Sequence, residues 1–321
     1  MAVIGQDIPE AKRILNAGEL VAIPTETVYG LAGNALNPVA VASIFETKNR
    51  PSFDPLIIHV PSLVEAENYV NDIPAALRKL AEHFWPGPLT LLLPRKSNIP
   101  DIVTSGLDRV AVRVPDHPLT LELLAQLDFP LAAPSANPFG YISPTSPKHV
   151  DAQLGDKISY ILNGGKCKVG LESTIVGMEE DEVVVYRLGG LDISEIESIV
   201  GKVIVKSHSS SNPQAPGLLE SHYAPAKPFL LGNLETLIAE YQERNVDFAV
   251  LSLAQTFPAV PVGNQIALSP QTDLKEAATH LFAAMRTLDE SNAVVILAEL
   301  MPEEGLGKAI NDRLRRAATK G

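Results

Sequence analysis

Lys48-Asn49-Arg50-Pro51 puts two cations one residue apart where a helical pattern closes. Arginine grips a polyanion through two parallel donors and lysine acts as a point charge, so the pair suits phosphates. A solvated helix end offsetting its dipole fits the same residues. Arg113 stands in Val110-Ala111-Val112-Arg113-Val114, where an arginine is costly without a partner. That partner is either a ligand carboxylate or a structural acid. His59 ends the apolar run Leu56–Val60 and, from the local residues, reads first as a satisfied core histidine and only second as a ligand contact. Ser135 and Asn137 follow Pro134 as ordinary turn chemistry or as ligand contacts. Glu172-Ser173-Thr174 is a loop hydroxyl cluster. Cys167, between Lys166 and Lys168, has no partner motif and reads as an incidental thiol.

Familiar site motifs are missing. Gly164-Gly165-Lys166 and Gly305-Leu306-Gly307-Lys308 lack phosphate-loop spacing, and no G-x-G-x-x-G follows a strand. The seven histidines show no zinc-protease or CxxC-type spacing, and there is no nucleophile elbow. Any nucleotide must be bound by scattered residues, with no dedicated metal motif.

The elements that would position these residues can be read in order. Asp7 caps a helix from Ile8 that Gly18 stops, and Leu20–Ile23 is a buried strand. Ile23-Pro24-Thr25-Glu26-Thr27-Val28-Tyr29-Gly30-Leu31-Ala32-Gly33 reads as a strand end running into a ligand-facing loop. Asn37-Pro38 starts a helix to Lys48. Helices are expected over 62–70, 74–84 and 118–127. Strands are expected at 56–60, 89–93, 110–114, 130–133, 160–162, 173–176 and 183–186, with Trp85-Pro86-Gly87-Pro88 as a rigid corner. The mixing without strict alternation predicts a mixed sheet. From Lys227 the pattern alternates: strand 229–231, helix 234–243, strand 248–253, helix 274–289, strand 293–298 and helix 308–318. That is a small parallel α/β domain. The expected organisation is a catalytic domain over 1–205, a Ser/Pro-rich linker over 206–226 and an α/β domain over 227–321.

The chain has 321 residues, 45% hydrophobic and 20% charged, which suits a globular protein. No apolar run approaches the roughly 20 residues of a membrane span. One cysteine and no secretory pattern point to the cytoplasm. The net charge is −12; residues 1–200 hold 15 Lys/Arg against 25 Asp/Glu. Broad nucleic-acid binding needs the opposite balance, so the cations suit a small-molecule cleft.

Taken together, Pro24-Thr25-Glu26-Thr27-Val28-Tyr29-Gly30-Leu31, Lys48-Asn49-Arg50-Pro51, Pro55-Leu56-Ile57-Ile58-His59, Trp85-Pro86-Gly87-Pro88-Leu89-Thr90, Val110–Pro115, Ala133-Pro134-Ser135-Ala136-Asn137 and Glu172-Ser173-Thr174-Ile175 resemble, in order, the YrdC-type L-threonylcarbamoyladenylate synthases. His222-Tyr223-Ala224-Pro225 and the α/β tail resemble the longer, two-domain branch. The resemblance implies a YrdC-like mixed, twisted sheet with helices forming a cleft, plus a smaller C-terminal Rossmann-like domain. It implies a nucleotidyltransferase that turns L-threonine, bicarbonate or CO2 and ATP into L-threonylcarbamoyl-AMP and pyrophosphate. This is the first step toward threonylcarbamoyladenosine in tRNA, and a downstream threonylcarbamoyl-transferase complex consumes the product. Mg2+ would accompany ATP, held mainly by phosphate and water.

By the same resemblance, Thr27, His59, Arg113, the Ala133 backbone and Ser173 hold L-threonine. Lys48 and Arg50 are the catalytic cations on the triphosphate. Asp54, Arg109, Ser135, Asn137, Ser143, Arg187 and Tyr223 complete the nucleotide side, Tyr223 closing over it from the linker. Two residues depart from the family pattern: Asp54 replaces the usual Asn, and Arg109 a small hydroxyl residue, with Arg109 expected to restore the charge that Asp54 removes. The C-terminal domain is expected to regulate or position the linker. The competing readings are a double-stranded RNA or tRNA-binding module, and carbamoyl transfer to another acceptor. Relatives that do the latter carry zinc-finger segments, which one cysteine cannot supply.

Overall fold

The computed structural model describes residues 1–206 and 222–319, so most of the expected linker, 207–221, lies outside the described residues. The chain divides into two compact units. The first takes Met1–Phe139, Pro144–Lys168 and residues 172–206; the second takes Gly140–Ser143, Val169–Leu171 and residues 222–319.

The first unit runs β1 (Val3–Gly5), α1 (Ile8–Asn16), β2 (Val21–Ile23), β3 (Gly30–Asn34), α2 (Pro38–Lys48), β4 (Ile57–His59), α3 (Leu63–Ala66), α4 (Ala75–Phe84), β5 (Leu89–Pro94), α5 (Asp101–Thr104), β6 (Arg109–Arg113), α6 (Pro118–Ala125), β7 (Leu131–Ala132), α7 (Pro147–Leu154), β8 (Tyr160–Leu162), β9 (Thr174–Glu179), β10 (Glu182–Arg187), α8 (Ile193–Val200) and β11 (Ile204–Val205). Among the described residues these strands form one eleven-stranded mixed sheet, ordered β1-β8-β2-β3-β7-β4-β6-β5-β9-β10-β11.

Two expectations change. Gly30–Asn34, read as loop, is strand β3, antiparallel to both β2 and β7. No β-branched residue announces it. Its neighbours need its small side chains: a Cβ on Gly30 would lie 3.1 Å from Ala133 Cβ, and one on Gly33 2.9 Å from Leu20 Cδ2. The helix expected over 62–70 stops at Ala66. The following chain pairs instead with 94–96, through Asn71 N–H to Pro94 O and Lys96 N–H to Tyr69 O, each 2.9 Å.

Successive strand residues face opposite sides of a sheet, and here the two sides differ. Ile58, Val112, Val110, Leu91, Leu93, Val176 and Val185 join the main core, which also takes residues from α2 and α4. The alternate positions, Ile57, Ala111, Leu92, Ile175, Val184 and Tyr186, form a small separate cluster on the other face.

The second unit contains β12 (Phe229–Leu231), α9 (Leu234–Glu243), β13 (Phe248–Ser252), β14 (Gln265–Ala267), α10 (Leu274–Asp289), β15 (Val295–Ala298) and α11 (Gly307–Ala318). Its strands are all parallel, in the order β12-β15-β13-β14, as the strand–helix alternation predicts. No described helix is long and apolar enough to cross a membrane.

Candidate functional site

The face carrying the small apolar cluster also carries the polar residues. His59 and Arg113 are register partners at the ends of the parallel strands β4 and β6, two residues beyond Ile57 and Ala111. Thr90 shares the parity of Leu92, and Ser173 that of Ile175. The antiparallel start of β5 and the parallel start of β9 bring these two hydroxyls to the same end of the sheet, 2.7 Å apart. An apolar floor with a polar rim is the plan of a small-molecule site.

The loop between β2 and β3 completes that rim. Thr25 Oγ1 accepts from the N–H groups of Thr27 and Val28, both at 3.2 Å, and fixes the turn. Thr27 Oγ1 then accepts from Arg113 Nη1 at 2.9 Å, and Glu26 Oε1 lies 2.6 Å from Arg113 Nη2. Arg113 Nε donates to Gly87 O at 3.3 Å, from the Trp85–Pro88 corner. Arg113 and Glu26 are each 4% exposed. The acid that Arg113 requires is therefore Glu26, which belongs to the recognised motif yet received no role. The Thr27 and Gly87 hydrogen bonds use two of the five guanidinium N–H groups, while Nη2 meets Glu26 as an ion pair without hydrogen-bond geometry.

His59 is buried, and burial followed by the Arg113 charge pushes its pKa down to about 3. At neutral pH it accepts hydrogen bonds rather than carrying charge, and its Nδ1 meets no hydrogen-bond partner among the described residues. Ala133 N–H donates to Ile57 O at 3.1 Å, which ties that backbone to the floor. Ser173 Oγ accepts from Arg187 Nη2 at 3.1 Å, and Ser173 O accepts from Arg187 Nε and Nη2 at 3.1 and 2.9 Å. Residues expected on the threonine side and on the nucleotide side thus touch here. Burial, with Glu26 next, raises the Cys167 thiol to about 12, so it stays protonated.

A second group gathers at the end of α2. Lys48 is 1% exposed, and its Nζ donates to Ser135 O and Asn137 O, both at 2.5 Å, while Lys48 O accepts from Phe139 N–H at 2.7 Å. Burial and the neighbouring Arg50 hold its pKa well below the usual lysine range. Arg50 Nη2 lies 2.9 Å from Asp54 Oδ2, and the same guanidinium donates to Asp54 O and Pro55 O. The base facing Asp54 is thus Arg50. Arg109, expected to compensate Asp54, begins β6 at the end opposite Arg113 and donates from Nη1 to Tyr186 Oη at 2.9 Å.

Ser143 and Tyr223 belong to the second unit. Both are buried, and Tyr223 stacks on Phe282 with Arg313 Cζ 5.2 Å from its ring centre. Glu26 and Thr90 stand on this rim although their types and spacing gave them no role. Arg113's need for an acid was the one signal that could have pointed to Glu26.

A mixed-sheet unit with this polar rim, joined to a small parallel α/β unit, defines the class. The chain belongs to the Sua5/YciO/YrdC family: the family model described as "Telomere recombination" matches residues 13–189. The model described as "Threonylcarbamoyl-AMP synthase, C-terminal domain" matches residues 191–319, which places the chain in the two-domain branch. It is 40% identical to the threonylcarbamoyl-AMP synthase of Pyrococcus abyssi (strain GE5 / Orsay), over 96% of this chain and 93% of that one. The Bacillus subtilis (strain 168) threonylcarbamoyl-AMP synthase is 38% identical over 97% and 92%. The crystal structure of P. abyssi Sua5 complexed with L-threonine superposes with a TM-score of 0.92 at 38% identity, covering 99% of this chain and 98% of that one.

Proposed function

We propose that this chain condenses L-threonine, CO2 or bicarbonate, and ATP into L-threonylcarbamoyl-AMP and pyrophosphate, in the cytoplasm, for threonylcarbamoyladenosine formation in tRNA. The observation that carries this reading is the convergence of Thr27, His59, Arg113 and Ser173 on one face of the sheet, with Arg187 bonded to Ser173. The Arg113 Nη N–H groups not spent on Thr27 suit the amino-acid carboxylate. Glu26 already neutralises the guanidinium, so recognition comes from directed hydrogen bonds more than net charge. Neutral His59 and the hydroxyls of Thr27 and Ser173 are acceptors for the amine and side-chain hydroxyl.

The chemistry asks little else of the protein. The threonine amine adds to CO2 and loses a proton, giving a carbamate. A carbamate oxygen then attacks the α-phosphorus as the bond to the β-phosphate bridge breaks and pyrophosphate leaves. Orientation and charge neutralisation carry such a step, with no covalent nucleophile. In this reading Lys48 and Arg50 face the triphosphate. Lys48 is already seated on the carbonyls of Ser135 and Asn137, so the cation and the expected nucleotide loop are positioned as one piece. Mg2+ would enter with ATP and screen its charge. Its ligands would be mainly phosphate and water. A threonylcarbamoyl-transferase acting on tRNA would take the product.

The test is incubation of the purified chain with ATP, L-threonine and bicarbonate. Pyrophosphate release should require all three and fall sharply in Arg113→Lys and Ser173→Ala. Release that ignores L-threonine or bicarbonate overturns the reading.

A further inference from the structure

One stripe of α10 has no part in the proposed chemistry. Phe282, Arg286 and Asp289 stand at i, i+4 and i+7 and so share a helix face. Arg286 is 3% exposed, and its Cζ sits 5.1 Å from the ring centre of Tyr141. Its guanidinium donates through Nη2 to Ile142 O and through Nε to Ser143 O, the latter at 3.4 Å. Asp289 Oδ2 accepts from the Tyr141 hydroxyl at 2.5 Å. The same carboxylate accepts from the N–H groups of Ala226 and Lys227, each at 3.0 Å. Phe282 stacks on Tyr223 with ring centres 5.5 Å apart, and Ala224 N–H donates to Gly140 O at 2.8 Å. All these residues lie in the second unit.

The loop Gly140–Ser143 and the chain from Tyr223 to Lys227 are therefore built onto the same helix face. Each contains a residue that the family resemblance assigns to the nucleotide. An apolar side chain at 286 would fill the space under Tyr141. It would not hold two successive carbonyls, and those fix the backbone that aims Ser143.

We propose that Arg286 is a positioning residue for ATP: it sets the backbone of the Ser143 loop and keeps it in register with Tyr223 through the shared face of α10. The inference rests on the reading that Ser143 serves the nucleotide. Burial, which draws the guanidinium down to about 10 while leaving it charged at neutral pH, is consistent with a cation retained for its donors.

The test is a double-mutant cycle on the full chain, with ATP and L-threonine titrated separately by calorimetry. Ser143→Ala should weaken ATP binding. Arg286→Lys should weaken ATP about tenfold, a size ordinary for a misplaced contact, and leave L-threonine within about twofold. The double variant should bind ATP no more weakly than the worse single variant, because coupled residues are non-additive. Full additivity, unchanged ATP affinity in Arg286→Lys, or equal weakening of both ligands in step with a lower Tm overturns the proposal. Unchanged ATP affinity in Ser143→Ala overturns the nucleotide reading of Ser143 and this inference with it, and so separates the two failures. If Arg286→Lys is too unstable to titrate, Tyr141→Phe, which removes only the hydroxyl on Asp289, should still weaken ATP selectively. An unchanged affinity there also sinks the idea.

Discussion

Arg113 and Glu26 form an ion pair at 2.6 Å in which both side chains are buried. Withdrawing two charges from water costs about what their attraction returns, whereas removing one partner leaves the other stranded at a cost of about 3–5 kcal/mol. Glu26→Gln should therefore lower unfolding free energy by about that amount in urea titrations. The pair replacement Glu26→Leu with Arg113→Met should restore most of the stability yet leave no threonine-dependent turnover. Such a result would mark the pair as a binding device rather than a stability device. His59 gives a second prediction at this scale. Its folded pKa of about 3 lies below the unfolded value of 6.5, so the unfolded chain takes the proton first. The stability associated with neutral His59 is complete above pH 6.5 and is lost as pH falls toward 3, at up to about 1.4 kcal/mol per pH unit. Stability measured from pH 7 to 4.5 should fall less steeply in His59→Gln, by close to one proton's worth of slope. Burial also lowers the His117 pKa, and that contribution is common to both proteins.

Gly189 shows how the elements place Ser173. A Cβ at this position would sit 2.3 Å from Glu172 O, 2.4 Å from Ser173 C and 2.5 Å from Thr174 N, all backbone atoms that cannot swing aside. Gly189→Ala should force the start of β9 away from the turn after β10, costing about 1–3 kcal/mol of stability as overpacking does. The displaced Ser173 should raise KM for L-threonine far more than KM for ATP; equal changes in the two would refute the assignment of this turn. Elements with local signals were legible in the sequence. Asn37 accepts from Val39 and Ala40 N–H, and its helix runs from Pro38 to Lys48 as the cap and the proline indicate. The bounds of β8, β12, α9 and α10 likewise follow from apolar runs and caps. What could not be read was set by distant chain. Strand β3, Gly-Leu-Ala-Gly-Asn, is a strand because β2 and β7 approach it closely on either side. α7 has a capping Ser146 but buries only Val150 and Leu154, too sparse a stripe to show periodicity. In the site, the ordered motifs named Thr27, His59, Arg113 and Ser173, which the fold brings to one face of the sheet. Which residue satisfied which was hidden, because Glu26 comes from the loop between β2 and β3 and Arg113 from the end of β6.

Charge distribution governs the molecule as a whole. Residues 1–200 carry 15 cationic side chains against 25 acidic ones, and Lys48, Arg50, Arg113 and Arg187 are buried. Those cations are engaged by carbonyls, hydroxyls or acids within the first unit, and the acids Glu26, Asp54 and Glu172 are buried with them, so its solvent-facing surface keeps the acidic balance of the whole stretch. An RNA-binding module needs the reverse, a broad basic face that releases counterions from phosphates. The same reasoning separates the two functional classes by experiment. If the chain makes a small diffusible adenylate, threonine-dependent pyrophosphate release should run at the same rate with tRNA added, omitted or digested by ribonuclease. Filter binding of tRNA at about 150 mM salt should be no tighter than the weak end of non-specific binding, Kd of about 10⁻⁴ M or higher. Tight, steeply salt-dependent binding, or turnover that needs tRNA, would move recognition of the nucleic acid onto this chain. Without it, tRNA specificity would have to reside in the protein that accepts the adenylate, leaving the buried cations of the first unit to the small substrates, amino acid and nucleotide together.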